Sequence, residues 1–150
     1  MKLNKAGADL IKSFEGCKLT SYVCSAGHNT IGYGNTFYED GTKVKPGDKI
    51  TQERAESMFE LIASDFAKKV VPLVKSQVNE NQFGALVSFA YNAGVGNLQK
   101  STLLKKVNAN PSDATIRDEF MKWDKAAGKP LAGLTRRRKA EADLYFKPVA

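Results

Sequence analysis

The sequence predicts an α+β fold in which a small β-sheet lobe and a mostly helical lobe are joined by a long helix, with a cleft between them. Two textures predict it. Between about residues 14 and 50 glycine recurs, and β-formers come in short runs, Leu19–Val23 and Thr30–Tyr33. The turn pairs Asp40-Gly41 and Pro46-Gly47 punctuate them, which is the pattern of antiparallel hairpins. Outside that stretch, apolar residues recur at spacings of three and four, as helices require. The 150 residues suffice for one domain with its own core and are too few for two large ones.

Taken in order, the first helix is predicted over Lys5 to Ser13, with Asn4 as N-cap and Gly16 in the left-handed position that ends it. Leu3, Gly7, Leu10, Ile11 and Phe14 share one of its faces. The sheet lobe follows, to about Ile50. Thr51 then opens the connecting helix, over about 51–71, on which Ala55, Met58, Phe59, Ile62, Phe66 and Val70 repeat; Pro72 ends or bends it. The helical lobe comprises about 72–150 plus the N-terminal helix. Its centre is the apolar segment FGALVSFAYNAG, opened by Asn81-Gln82-Phe83 and closed by a tight Gly94-Val95-Gly96 turn. Shorter helices are predicted at Ser101–Val107, Ser112–Trp123 and Leu134–Leu144, with Ser101 and Ser112 as caps.

Composition narrows the function. Hydrophobic residues make up 42% and charged residues 26%, ordinary values for a water-soluble domain, and no run of about 18 apolar residues is present. The opening MKLNKAGADLIKSFEG lacks the apolar core of a signal peptide, so residence in the cytoplasm is expected. A net charge of +7 favours polyanionic partners: nucleic acid, anionic lipid or an acidic wall polymer. Two cysteines and one histidine make a structural zinc site an unpromising reading, and neither metal nor cofactor is expected. A reducing compartment argues for free thiols at Cys17 and Cys24, although one short disulfide between them stays open.

The chemistry concentrates in FEGCKLTSYVCSAGHNTIGYGNT, Phe14 to Thr36. Glu15 stands at a helix C-terminus, where the partial negative charge of the helix end favours a neutral carboxylic acid. A carboxyl kept protonated is what a general acid requires; at a helix end it is more often a solvated surface group. Cys24 could be a nucleophile if His28 activates it, or an inert thiol. The glycines of TIGYG imply close approach of backbone to a saccharide or a neighbouring strand; a phosphate loop is set aside for want of Gly-Lys-Ser/Thr.

Spacing changes the weight of these readings. Glu15, then Cys24 nine positions on, then Thr30 six further, with Gly-Tyr-Gly after Ile31, resembles the motif of the phage-type lysozymes, the endolysin muramidases: Glu, eight residues, Asp or Cys, five residues, Thr. ALVSFAYNAGVGNLQKSTLL, Ala85 to Leu104, is similar to that family's central helix, turn and next helix. KWDKAAGKPLAGLTRRRKAE, Lys122 to Glu141, is similar to its tryptophan-to-triple-arginine segment. Three blocks in the family's order span nearly the whole chain.

The resemblance implies a lysozyme-like fold and hydrolysis, with inversion, of the β-1,4 bond between N-acetylmuramic acid and N-acetylglucosamine in peptidoglycan. It implies Glu15 as the acid, with Cys24 and Thr30 forming the water site. Cys24 is the less usual option; a thiol is a weak base, and Glu15 nearby is expected to oppose a thiolate. Gly32, Tyr33, Tyr91, Asn92, Gly94 and Ser101 align with positions lining the family's sugar cleft, against the plainer readings of Tyr91 as core and Ser101 as a cap. Arg137 aligns with the arginine that pairs with the catalytic glutamate. Asn35 stands where relatives commonly carry histidine. Trp123 could stack a sugar or simply pack. The implied partners are peptidoglycan strands and an anionic envelope surface, with no specific nucleic acid. The implied setting is a monomer held in the host cytoplasm until a holin-type pore releases it to the wall. Two rivals remain: a wall-binding module of weak chemistry, which Cys24 makes thinkable, and a nucleic-acid binder, for which only the charge and the RRRK run at 136–139 speak.

Overall fold

In the first helix, α1 (Lys5–Glu15), the Asn4 side chain accepts the Gly7 N–H at 3.0 Å, and the Gly16 N–H closes the last turn on the Lys12 carbonyl. Gly16 has φ +67°, the left-handed conformation predicted for it. The computed structural model describes residues 1–24 and 26–149. They group into two compact units: residues 12–65, and residues 1–11 together with 66 onward.

In the unit of residues 12–65, β1 (Lys18–Val23) pairs antiparallel with β2 (Asn29–Gly32), Tyr22 opposite Thr30 and Val23 opposite Asn29. The register breaks between Lys18 and Tyr22. Single bridges, Thr20 to Lys49 and Phe37 to Lys43, extend this small sheet region, and Gly41 and Gly47 turn the chain at the two predicted pairs with φ +88° and +81°. The second strand stops at Gly32, short of the predicted Tyr33. Gly32 and Gly34 both have positive φ, and Ile31 and Asn35 exchange two backbone hydrogen bonds of 2.9 Å across the turn they make. Ile31, Val44 and Met58 form the core here, with Tyr38, Ile50 and Ile62 packed on it. The long helix, α2 (Gln52–Val70), starts where the Thr51 hydroxyl accepts the Arg54 N–H. A single 3-10 turn, Val71–Leu73, follows and carries Pro72, as predicted.

In the other unit, α1 crosses α3 (Glu80–Ala93) at two glycines: a Cβ added to Gly7 would lie 2.9 Å from the Gly84 Cα. α3 begins one residue earlier than predicted, because Asn79 and Gln82 form a reciprocal capping box. The predicted tight turn after it proves to be a single residue. Gly94, at φ +100°, reverses the chain alone and leaves Val95 free to start α4 (Val95–Lys100). Ser101 caps α5 (Thr102–Ala109) as expected. The next helix, α6 (Ile116–Met121), is shorter than predicted. Asn110 and Asp113 side chains accept the N–H groups of Ser112 and Thr115, so side-chain turns replace the predicted first helical turn. A hairpin of β3 (Lys125–Ala126) and β4 (Lys129–Pro130), reversed at Ala127-Gly128 with both φ positive, was not foreseen. α7 (Ala132–Tyr145) closes the unit, and Phe83, Leu86, Phe89, Leu103, Ile116, Phe120 and Tyr145 form its interior. No helix of the described residues is long and apolar enough to cross a membrane.

Candidate active site

Glu15 is the last residue of α1 and is half-buried. Its carboxyl group lies against the α-carbon of Gly34, so closely that any β-carbon there would collide with Oε1. Gly34 therefore serves two needs at once: φ is +75°, and the space a side chain would occupy belongs to the acid.

Cys24 follows β1, and Thr30 lies opposite Tyr22 in β2, so the antiparallel pairing brings the two together. The loop between them is closed by its own backbone: the Cys24 N–H donates to the His28 carbonyl, and the Gly27 N–H to the Cys24 carbonyl, both at 2.9 Å. Thr30 is buried, and its hydroxyl donates to that same His28 carbonyl at 2.9 Å. The Cys24 thiol is held below its ordinary pKa, first by hydrogen bonding with the Thr30 side chain and then by the backbone of His28 and Ala26. Glu15 nearby is expected to oppose a thiolate, whereas these hydrogen bonds act in its favour. The Thr30 hydroxyl has one proton and two lone pairs, so it can accept from the thiol while donating to His28, or turn that proton to the thiolate.

His28 contributes to the cysteine through its main chain, and its ring is exposed. Cys17 and Cys24 are both free thiols. Tyr22, which sequence reasoning passed over, has its phenol pushed up by burial and then by the charges of Glu15 and Cys24, so it feels both groups. Alternation along β1 could have flagged it, since Tyr22 pairs with Thr30.

Two residues aligned with the sugar cleft have their polar atoms committed inside the fold. Tyr33 is only 7% exposed and donates its hydroxyl to Glu56 at 2.5 Å. Ser101, 3% exposed, accepts the Leu104 N–H and donates to the Leu98 carbonyl, the work of a helix cap. Gly32 is buried in the turn before Tyr33. By contrast, Asn92 is exposed, and its Oδ1 accepts from Arg138. Tyr91 is half-buried, with its ring 5.2 Å from that of Phe66. Trp123 packs edge-on against Phe89, ring centres 5.4 Å apart.

The RRRK run is not a cationic face. Arg137 and Arg138 are buried on Glu141, Arg137 through Nε at 3.2 Å and Arg138 through a second ion pair. Ser88 donates to the same carboxylate at 2.6 Å. Of this run only Arg136 and Lys139 are exposed, so it does not present four cations to a polyanion.

Known proteins share both the sequence and the architecture. The endolysin of Bacillus phage B103 is 42% identical over 97% of this chain, which spans 54% of that relative; the chain thus covers about half the length of the first curated relatives it matches. The endolysin of Acyrthosiphon pisum secondary endosymbiont phage 1 is 38% identical, with 97% of this chain and 98% of that protein aligned. An endolysin structure from Escherichia coli O157:H7 phage FAHEc1 superposes with a TM-score of 0.89 at 39% identity, covering 99% of this chain and 96% of the other. A P22 lysozyme mutant gives 0.83 at 31%, covering 98% and 99%. The family model described as phage lysozyme matches residues 12–141, from before Glu15 to past the arginine cluster, and the chain belongs to the phage lysozyme family.

Proposed function

We propose that this protein is an endolysin muramidase that hydrolyses the β-1,4 bond between N-acetylmuramic acid and N-acetylglucosamine in peptidoglycan. The observation that carries the reading is the pairing of β1 with β2, which joins Cys24 to Thr30 beside the strand residue Tyr22 that senses Glu15. Glu15 protonates the glycosidic oxygen as the bond breaks, and a water attacks the anomeric carbon from the opposite face, inverting it. Cys24 and Thr30 hold that water, and the Cys24 thiolate takes up its proton. A depressed pKa leaves more of the Cys24 thiol ionised near neutral pH than an ordinary cysteine would be, which supports an accepting role. Family membership and the relatives named endolysin support the substrate.

Tyr91, Asn92 and Gly94 complete the proposed glycan-binding set. The net charge of +7 suits an acidic wall polymer and an anionic envelope surface. The protein acts as a monomer that waits in the host cytoplasm and reaches the wall through a holin-type pore.

Turbidity of purified cell walls, with reducing ends and product anomers followed in parallel, tests the reading. Glu15→Gln is expected to lose on the order of 100-fold or more in rate. Cys24→Asp retains activity, whereas Cys24→Ser loses much of it. Full lysis by Glu15→Gln would sink the mechanism, and wild-type binding to walls without new reducing ends would make the protein a wall-binding module instead.

A further inference from the structure

The elements that set the place of Glu15 converge on a different carboxylate, one that the family motif does not include. We propose that Glu56 is a positioning residue for Glu15, acting through Tyr33 and Lys12; this rests on the reading of Glu15 as the acid.

Glu56 lies on α2 and gathers three donors. Its Oε1 accepts the Tyr33 hydroxyl at 2.5 Å and the Gln52 amide at 2.9 Å, and its Oε2 accepts the Lys12 ammonium at 2.6 Å. Gln52 also reaches the Tyr33 oxygen at 3.3 Å. The Lys12 ammonium sits 4.9 Å from the Phe59 ring centre and 5.4 Å from that of Tyr33, and the two rings meet edge to face at 5.3 Å. Charge, hydrogen bonds and aromatic packing thus fix one arrangement.

Both arms end beside the acid. Lys12 lies one helical turn before Glu15, and its carbonyl receives the Gly16 N–H that closes α1. Tyr33 is bonded directly to Gly34, whose α-carbon abuts the Glu15 carboxyl. Pulling Lys12 and Tyr33 onto one carboxylate sets the separation of the helix end from the turn, and hence the place of the acid's oxygens. A carboxyl displaced by even an ångström delivers its proton poorly, which is where such a clamp acts on rate.

The clamp also holds its charges across the neutral range. Bonding to Glu56 and burial push the Tyr33 phenol up to about 12, while Lys12 and then Tyr33 hold Glu56 below the ordinary glutamate value. Glu56 is partly exposed, so the ion pair contributes little to stability; its effect is geometric.

Steady-state kinetics on soluble peptidoglycan fragments test this with Tyr33→Phe, which keeps the buried ring, and with Glu56→Ala, Glu56→Gln and the double variant Tyr33→Phe/Glu56→Ala. Tyr33→Phe and Glu56→Ala each are expected to lower kcat about tenfold with KM within about twofold. The double variant falls no further than the worse single one, since both cut the same clamp. Glu56→Gln, which still accepts from Tyr33, recovers part of the loss. Melting curves on the same samples establish that the assay temperature lies below every transition. Wild-type kcat in Tyr33→Phe and Glu56→Ala, a loss confined to KM, or multiplicative losses in the double variant would overturn the clamp while leaving Glu15 as the acid. Absence of hydrolysis by the wild type would overturn both.

Discussion

At the residue scale the decisive feature is how small groups tune Cys24. A cysteine ordinarily ionises too high to accept a proton well at neutral pH. Here a buried threonine hydroxyl and the backbone of the 26–28 loop stabilise the thiolate, and neither requires a cation. Because the folded-state pKa is depressed, the thiolate forms at a lower pH than in the unfolded chain. Thr30→Val removes the leading cause, so the pH at which Cys24 reacts should rise toward the ordinary value. In a Cys17→Ala background, the rate of iodoacetamide alkylation against pH reads this; an unshifted profile would mean that the backbone donors suffice. The motif spacing singled out Glu15, Cys24 and Thr30 as the residues now proposed to carry the reaction. The direction of the thiol's shift was not legible, because it depends on which hydrogen-bonding groups the 24–30 loop turns toward sulfur.

At the scale of elements, helix periodicity and caps were the strongest signals, and glycine had two meanings that sequence alone did not separate. Gly16, Gly41 and Gly47 read as turns and are turns. Gly7 and Gly84 lie inside helices and have no conformational need for glycine; they let α1 and α3 approach to backbone contact. Gly84→Ala places a methyl group 2.9 Å from the Asn4 side-chain oxygen that caps α1 and 3.3 Å from the Gly7 Cα. The gain in helix propensity, about 1 kcal/mol, is smaller than the overpacking cost of roughly 1–3 kcal/mol. Net destabilisation in a denaturant melt is the expected outcome, and an unchanged midpoint would show that the crossing relaxes freely. The predicted Ser112 helix start failed for a related reason. Asn110 and Asp113 could serve either a helix or side-chain turns, and the turns won.

For the whole molecule, the sum of its carboxylate interactions sets the acid limit. Tyr38, followed by the Lys45 backbone, holds Asp48 below its usual range; Lys12 and then Tyr33 do the same for Glu56; burial is the largest single influence on Glu119 and pushes it up, but Lys106 and Lys122 together bring it below its usual range. Each of these groups has a folded-state pKa below its unfolded one, so its stabilisation is complete above the ordinary carboxylate range and disappears as pH falls through the folded value. The melting temperature should therefore be level down to about pH 5 and decline below about pH 4. A maximum below pH 4 would contradict this assignment. The same scale settles the basic run at 136–139. A linear reading takes four consecutive cations as a surface patch, but a helix sends neighbouring residues to different faces, and two of them turn inward onto Glu141.

The sequence by itself determined the α+β architecture and most helix starts, and its resemblance to the phage-type lysozymes singled out the three residues proposed to carry the reaction. The architecture and the helix starts rest on local periodicity and capping chemistry, which survive in one dimension, and the resemblance rests on motif spacing. Only the tertiary structure decided that Tyr33 is buried with its hydroxyl on Glu56, that Trp123 meets Phe89 edge-on, that two arginines are internal, and that the Cys24 thiol is lowered by Thr30 and the loop backbone. The physical reason is the same in each case. A side chain's role follows from what surrounds it, and the partners here, Glu56 for Tyr33, Glu141 for the arginines and Thr30 for Cys24, are brought to it by folding.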